Sequence, residues 1–130
     1  MRVLIVDDSR TMRRVIANCL REFDDVTISE AGNGAEAMLR LVDMQGADLI
    51  LSDWNMPNQN GLQFLQALAA SPFKACPVIM VTSEAEKERV LEAVKAGAAG
   101  YVIKPFTADT LREKIKHVLA ARSPAPPPAQ

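Results

Sequence analysis

Five times along this chain a short β-branched and aliphatic run gives way to an amphipathic stretch, and that alternation leaves few folds open. Strands separated by helix-forming segments return to the same sheet in parallel, because a crossover of that length carries the chain back to the starting edge. The runs fall at residues 2–6, 26–31, 48–53, 77–81 and 100–103. Val3-Leu4-Ile5-Val6, Leu49-Ile50-Leu51 and Val78-Ile79-Met80-Val81 are continuously apolar, as strands covered on both faces must be. Val26-Thr27-Ile28-Ser29 alternates, which predicts an edge strand with one wetter face.

The intervening stretches read as helices. Met12, Val15, Ile16, Cys19, Leu20 and Phe23 keep the spacing of one buried helix face. A second helix opens at Asn33, with Glu36 at capping-box distance, and its core stripe is expected at Ala35, Met38, Leu39 and Val42. A third carries Leu62, Leu65 and Leu68 and stops at Ser71-Pro72. A fourth is expected over 84–96 through Val90, Leu91 and Val94, with Gly97 as its C-cap. The fifth opens at Thr107 as N-cap, with Asp109 in its first turn and Phe106 and Leu111 at staple spacing. It buries Leu111, Ile115, Val118 and Leu119. Four prolines among the last eight residues exclude regular structure there, so one domain is expected over 1–122 and an extended tail over 123–130.

At 130 residues the chain has room for one ordinary domain. A net charge of -1, with Lys and Arg scattered along the helices, gives no reason to expect nucleic-acid or membrane binding. Only four apolar residues precede Asp7-Asp8, too few for a signal-peptide core or a membrane span. Cys19 and Cys76 lack metal-site spacing; two buried, reduced thiols are expected, with a disulfide between them as the alternative. A cytoplasmic monomer is the expectation.

The strand ends carry the chemistry. The first run ends in Asp7-Asp8, the third in Asp53, the fourth in Thr82-Ser83 and the fifth in Lys104-Pro105. Parallel sheets place ligands at their carboxyl edge, where these groups converge. Two carboxylates about 4 Å apart repel by roughly 4 kcal/mol at an effective dielectric near 20, so a cation is needed among Asp7, Asp8 and Asp53. All-oxygen donors favour Mg²⁺, with Mn²⁺ as an alternative, over Zn²⁺. The set is too small for a closed protein cage, which points to a phosphate-bearing partner. A nucleophilic carboxylate, a hydroxyl and the Lys104 ammonium are the parts of phosphoryl transfer to an aspartate. Taken singly, each of these residues is also an ordinary helix cap or turn residue.

Asp7-Asp8, Asp53, Thr82 and Lys104-Pro105 resemble the signature of response-regulator receiver domains, over residues 1 to about 121. Within that family, Asp53-Trp54-Asn55-Met56-Pro57-Asn58 followed by Gly61-Leu62, and the segment from Gly97 to Thr107, resemble the chemotaxis regulators. The resemblance implies a doubly wound, flavodoxin-like (βα)5 sandwich with strand order 2-1-3-4-5. It also implies that Asp53 accepts a phosphoryl group from a chemotaxis-type sensor histidine kinase. Asp8, Asp53 and the Asn55 backbone carbonyl would bind Mg²⁺, with Asp7 acting through a water. Thr82 and Lys104 would contact the acyl phosphate, and the Lys104–Pro105 bond would be cis. Asn55 and Glu84 would tune resetting, and polar residues at both predict a short-lived phosphoryl state. Tyr101 would be the rotamer switch, reporting to a face lined by Lys87, Val90, Ile103 and Lys114. Trp54 fluorescence would fall on Mg²⁺ binding or phosphorylation. Ser9 stands where the best-known chemotaxis regulators carry an aromatic, which weakens the carry-over of a particular phosphatase partner.

The expected function is thus a stand-alone, non-enzymatic regulator that switches a partner, with a flagellar motor switch protein as the leading effector. Pilus-motility control, a phosphate sink and an excised receiver of a longer regulator are alternatives. A phosphatase working through an aspartyl phosphate is the rival from another class. It would need an acid two residues beyond the nucleophile, where this chain has Asn55.

Overall fold

Each apolar run forms a strand. In the computed structural model, which describes residues 1–55, 60–83 and 88–122, β1 (Arg2–Val6), β2 (Thr27–Ala31), β3 (Leu49–Asp53), β4 (Val78–Ser83) and β5 (Gly100–Lys104) make one sheet. All pairings are parallel and the order is β2-β1-β3-β4-β5, the flavodoxin-like arrangement. β4 continues two residues beyond its apolar run, because Thr82 and Ser83 still pair with Ile103 and Lys104 of β5. Two hydroxyl residues give no hydropathy signal, so that extension was not readable from pattern.

The helices are α1 (Arg10–Cys19), α2 (Gly34–Met44), α3 (Gly61–Ala69), α4 (Val90–Lys95) and α5 (Ala108–Arg122), and a 3-10 turn over Leu20–Glu22 closes α1. Leu4, Val6, Ile50, Val78 and Met80 face α2, α3 and α4, whose Ala37, Leu41, Phe64, Leu65, Leu68 and Ala93 complete that core. Val3, Ile5, Leu49, Leu51, Ile79, Val81 and Val102 face α1 and α5 and meet Ile16, Leu20, Leu111, Ile115 and Val118. Burying each such side chain contributes about 1.5–3 kcal/mol, so the three-layer arrangement follows from strands that are apolar on both faces. The free thiols lie on opposite sides of this sheet: Cys19 packs in the α1–α5 core and Cys76 against the other. They cannot pair across it. Cys76 is only partly buried, so the expectation of two buried thiols holds for Cys19 alone.

Several helix faces differ from expectation. Val15 of α1 is exposed. Ala35, Leu39 and Val42 of α2 point outward, Leu39 at 66% and Val42 at 61% exposure, while Gly34, Ala37 and Leu41 are buried and Met38 and Met44 partly so. Positions 34, 37, 41 and 44 have the same three-and-four spacing as the expected stripe, so periodicity could not choose between two apolar faces. In α4, Ala93 is buried while Leu91 and Val94 are exposed, again the small residue facing the sheet. Residues 84–87 of the expected fourth helix, and the expected tail over 123–130, lie outside the described residues.

Caps set the boundaries. Asn33 caps α2 by accepting from the Glu36 N–H at 2.8 Å, but the Glu36 side chain returns to Gly32 N–H rather than to Asn33. Asn60 and Gln63 form a full capping box at α3. Thr107 caps α5 by accepting from Thr110 N–H at 3.0 Å. At the back of α4, Ala98 N–H donates to Ala93 O at 2.9 Å and Gly97 N–H to Val94 O at 3.1 Å, with Gly97 at φ 109°. This is a Schellman closure, and its left-handed position is why Gly97 serves as the C-cap.

Candidate functional site

The carboxyl ends of β1, β3, β4 and β5 share one edge, and the charged residues following the apolar runs collect there. Asp7, directly after β1, is buried, and its N–H continues the ladder by donating to Ala31 O at 3.0 Å. Its Oδ1 accepts from Ser9 N–H at 2.8 Å, and the Ser9 hydroxyl caps α1 by accepting from Met12 N–H. So far this is helix-start chemistry. Asp7 Oδ2 breaks that reading, because it is buried with no hydrogen-bond partner.

Asp53 ends β3 and is buried. Its Oδ1 accepts from Trp54 N–H at 2.9 Å and from Lys104 Nζ at 3.2 Å. The same ammonium lies 3.7 Å from Asp7 Oδ2. Asp8 stands exposed at the rim, and one oxygen from each of Asp7, Asp8 and Asp53 falls within 4.8 Å of the others. Burial pushes the Asp53 carboxyl up to about 6; repulsion from Asp7 adds to this, and Lys104 and the Trp54 N–H pull it back. Burial also raises Asp7, against the Ser9 N–H and Lys104. One lysine does not neutralise three carboxylates. The buried Asp7 Oδ2, which accepts no hydrogen bond, and the all-oxygen donor set fit a hard divalent cation of the Mg²⁺ or Mn²⁺ class.

The remaining candidates are disposed around this centre. Thr82 is buried at the end of β4, and among the described residues its hydroxyl makes only a long 3.4 Å contact to Ser83 O. Thr82 pairs with Ile103 and Met80 with Tyr101, so Thr82, Tyr101 and Ile103 share the sheet face that carries α4. Tyr101 is turned outward at 38% exposure, with Lys114 Nζ 5.6 Å from its ring centroid. Val90, Ile103 and Lys114 are each partly buried. Asn55 is exposed just beyond β3, and the Lys104–Pro105 bond is cis. Glu84 and Lys87, together with Met56, Pro57 and Asn58, lie outside the described residues.

Three contacts had no signal in the sequence. Arg13 donates to Asp7 O at 2.6 Å and to Glu30 Oε1 at 2.7 Å, bracing the loop that holds Asp7. Arg10, Arg13, Arg14 and Arg21, expected as scattered charges, line one groove of α1 beside Glu30. Gly61 N–H donates to Trp54 O at 2.7 Å, and a Cβ at Gly61 would stand 3.0 Å from Trp54 Cα and 2.5 Å from Met80 Cε. The Met80 methyl can swing aside, but the Trp54 backbone cannot move without disturbing its bond to Asp53. Gly61→Ala is therefore expected to destabilise the protein by about 1–3 kcal/mol. Urea unfolding reads this directly, and an unchanged midpoint would show that the approach is not tight.

Parallel strands, a three-carboxylate edge and a lysine on the last strand define a class. The chain belongs to the response regulator receiver domain family, whose profile matches residues 3–116. It is similar to the chemotaxis protein CheY of Pseudomonas aeruginosa, 44% identical over 119 residues that cover 91% of this chain and 95% of that protein. It is likewise similar to the chemotaxis protein CheY-3 of Vibrio cholerae, 42% identical over 119 residues, 91% of each chain. Among solved structures it resembles the chemotaxis response regulator CheY4 of Vibrio cholerae, with a TM-score of 0.81 and 32% identity over 90% of this chain and 97% of that one. Among the described residues, no helix is long and apolar enough to cross a membrane.

Proposed function

We propose that Asp53 is the phosphoacceptor of a cytoplasmic, Mg²⁺-dependent chemotaxis regulator, charged by a sensor histidine kinase and read by a motility effector such as a flagellar motor switch protein. The observation that carries this reading is the Asp7–Lys104–Asp53 arrangement: one ammonium shared by two buried acids, with Asp7 Oδ2 buried and held by no hydrogen bond, only by the 3.7 Å ion pair to Lys104. The chemotaxis assignment draws on the named relatives, and the kinase and effector on family membership.

The chemistry balances simply. An Asp53 carboxylate oxygen forms a P–O bond as the P–N bond to the donor's imidazole breaks. The electron pair of that bond stays with the ring nitrogen. Lys104 approaches a phosphoryl oxygen as a point charge, and Thr82 offers its hydroxyl to another. Asp7 and Asp8, with Asp53 and the Asn55 carbonyl, would hold the cation, which when bound offsets charge on the phosphoryl oxygens. In resetting, water attacks phosphorus and Asp53 leaves as the carboxylate; by family resemblance Asn55 and Glu84 tune the rate of that step. The output is a change in binding, carried by Thr82 and Tyr101 to the face of Lys87, Val90, Ile103 and Lys114, and not turnover of a substrate.

Incubation with acetyl phosphate and Mg²⁺ tests the acceptor. Intact mass should show one added phosphoryl group on the wild type and none on Asp53→Asn. Labelling that survives the substitution would overturn the assignment.

A further inference from the structure

We infer that Arg89 is a positioning residue that ties the start of α4 to the acceptor aspartate through Trp54. The inference rests on the proposed role of Asp53. Trp54 is buried, follows Asp53 directly and donates its N–H to Asp53 Oδ1. Its carbonyl is held by Gly61 N–H, so its backbone is fixed on both sides. The Arg89 guanidinium lies 5.9 Å from the centroid of its ring. Arg89 immediately precedes α4 and contributes no side-chain capping bond to that helix. Among the described residues no hydrogen bond or ion pair competes for it. It is exposed, while the indole near it is not.

Two links thus join α4 to the residue after Asp53. Ala93 of α4 belongs to the same apolar cluster as Trp54, and that packing is indifferent to charge. Arg89 supplies the other, and a cation over an aromatic ring responds to the local field. Phosphorylation adds about -1.5 to -2 charges at Asp53. That charge draws the guanidinium more firmly toward Trp54, so the front of α4 is held tighter when the acceptor is loaded. Nothing in this link requires Tyr101 to move. It is a second route from the acceptor to α4, independent of the hydroxyl of Thr82.

The test compares wild type, Arg89→Gln and Arg89→Lys in the full chain. Trp54 is the sole tryptophan, so near-ultraviolet ellipticity at indole wavelengths reports its surroundings alone. In chelator, Arg89→Gln should alter that signal and speed amide exchange at residues 90–95 by about threefold, the size of an exposed cation–ring contact. Arg89→Lys should restore most of both. With acetyl phosphate and Mg²⁺, all three proteins should load one phosphoryl group. Loading should slow exchange at 90–95 in the wild type and Arg89→Lys, and the slowing should shrink about threefold in Arg89→Gln. Equal responses in Arg89→Gln and wild type, or Arg89→Lys behaving as Arg89→Gln, would overturn the inference. A wild type that fails to load would instead sink the reading of Asp53, and the chelator measurements would still decide whether Arg89 holds α4.

Discussion

Asp53→Asn is expected to make the metal-free protein more stable, not less, by about 3 kcal/mol at pH 7.5. A carboxyl held at about 6 instead of its ordinary 3.8 disfavours the ionised native state by that order. The sign follows from proton binding. The native state takes up a proton near pH 6 that the unfolded chain takes up only near 3.8, so the native state gains stability as pH falls between them. Above about pH 7 the penalty is complete, and below about pH 4 it is gone. Asp7 is raised as well and adds in the same direction. Urea unfolding in chelator at pH 5 and pH 7.5 should show the wild type more stable at the lower pH, with the amide variant losing most of that difference. Saturating Mg²⁺ should then stabilise the wild type by mass action and the variant far less. A wild type that is most stable at pH 7.5 in chelator would contradict the arrangement.

Lys104→Ala is expected to move two measurements in opposite directions. Its Nζ lies 3.2 Å from Asp53 and 3.7 Å from Asp7, at the edge where a cation would sit. Removing the ammonium deepens the negative potential, so Mg²⁺ affinity should rise by about tenfold, well below the unscreened pair energies because the lysine is partly exposed. Phosphoryl loading from acetyl phosphate should slow by about 100-fold, the usual effect of deleting one group that meets charge in the transition state. Metal titration and intact-mass time courses separate the two. Loss of both together would mean that Lys104 merely holds the site in shape.

The sheet was legible because its signal is local and strong. Val3–Val6 and Leu49–Leu51 cannot sit anywhere but between two helical layers, and the acids that stop those runs fall at the sheet's carboxyl edge. Asp7, Asp8, Asp53 and Lys104 were readable for the same reason: each interrupts an apolar run. The helix faces were less so. Leu39 and Val42 look like core by size, yet the layer packs against Gly34, Ala37 and Leu41. Residues acting across the fold were invisible. Arg13 reaches Asp7 from another element, Arg89 approaches Trp54 from beyond β4, and Gly61 matters because of what stands 3.0 Å away. No spacing along one chain encodes such meetings.

The Schellman closure behind α4 has a mechanical consequence. Ala98 and Gly97 tie the rear of the helix to its own carbonyls, and Ala99 N–H donates to Val78 O at 2.8 Å, clamping that end to the sheet. The rear is a fulcrum, and among the described residues the front is tied to the site through Arg89 and Trp54. Six residues make a lever of about 9 Å, so a tilt of about 10° displaces the front by about 1.5 Å while the rear stays in place. Any stroke delivered from Asp53 is therefore felt at Val90 and not at Gly97.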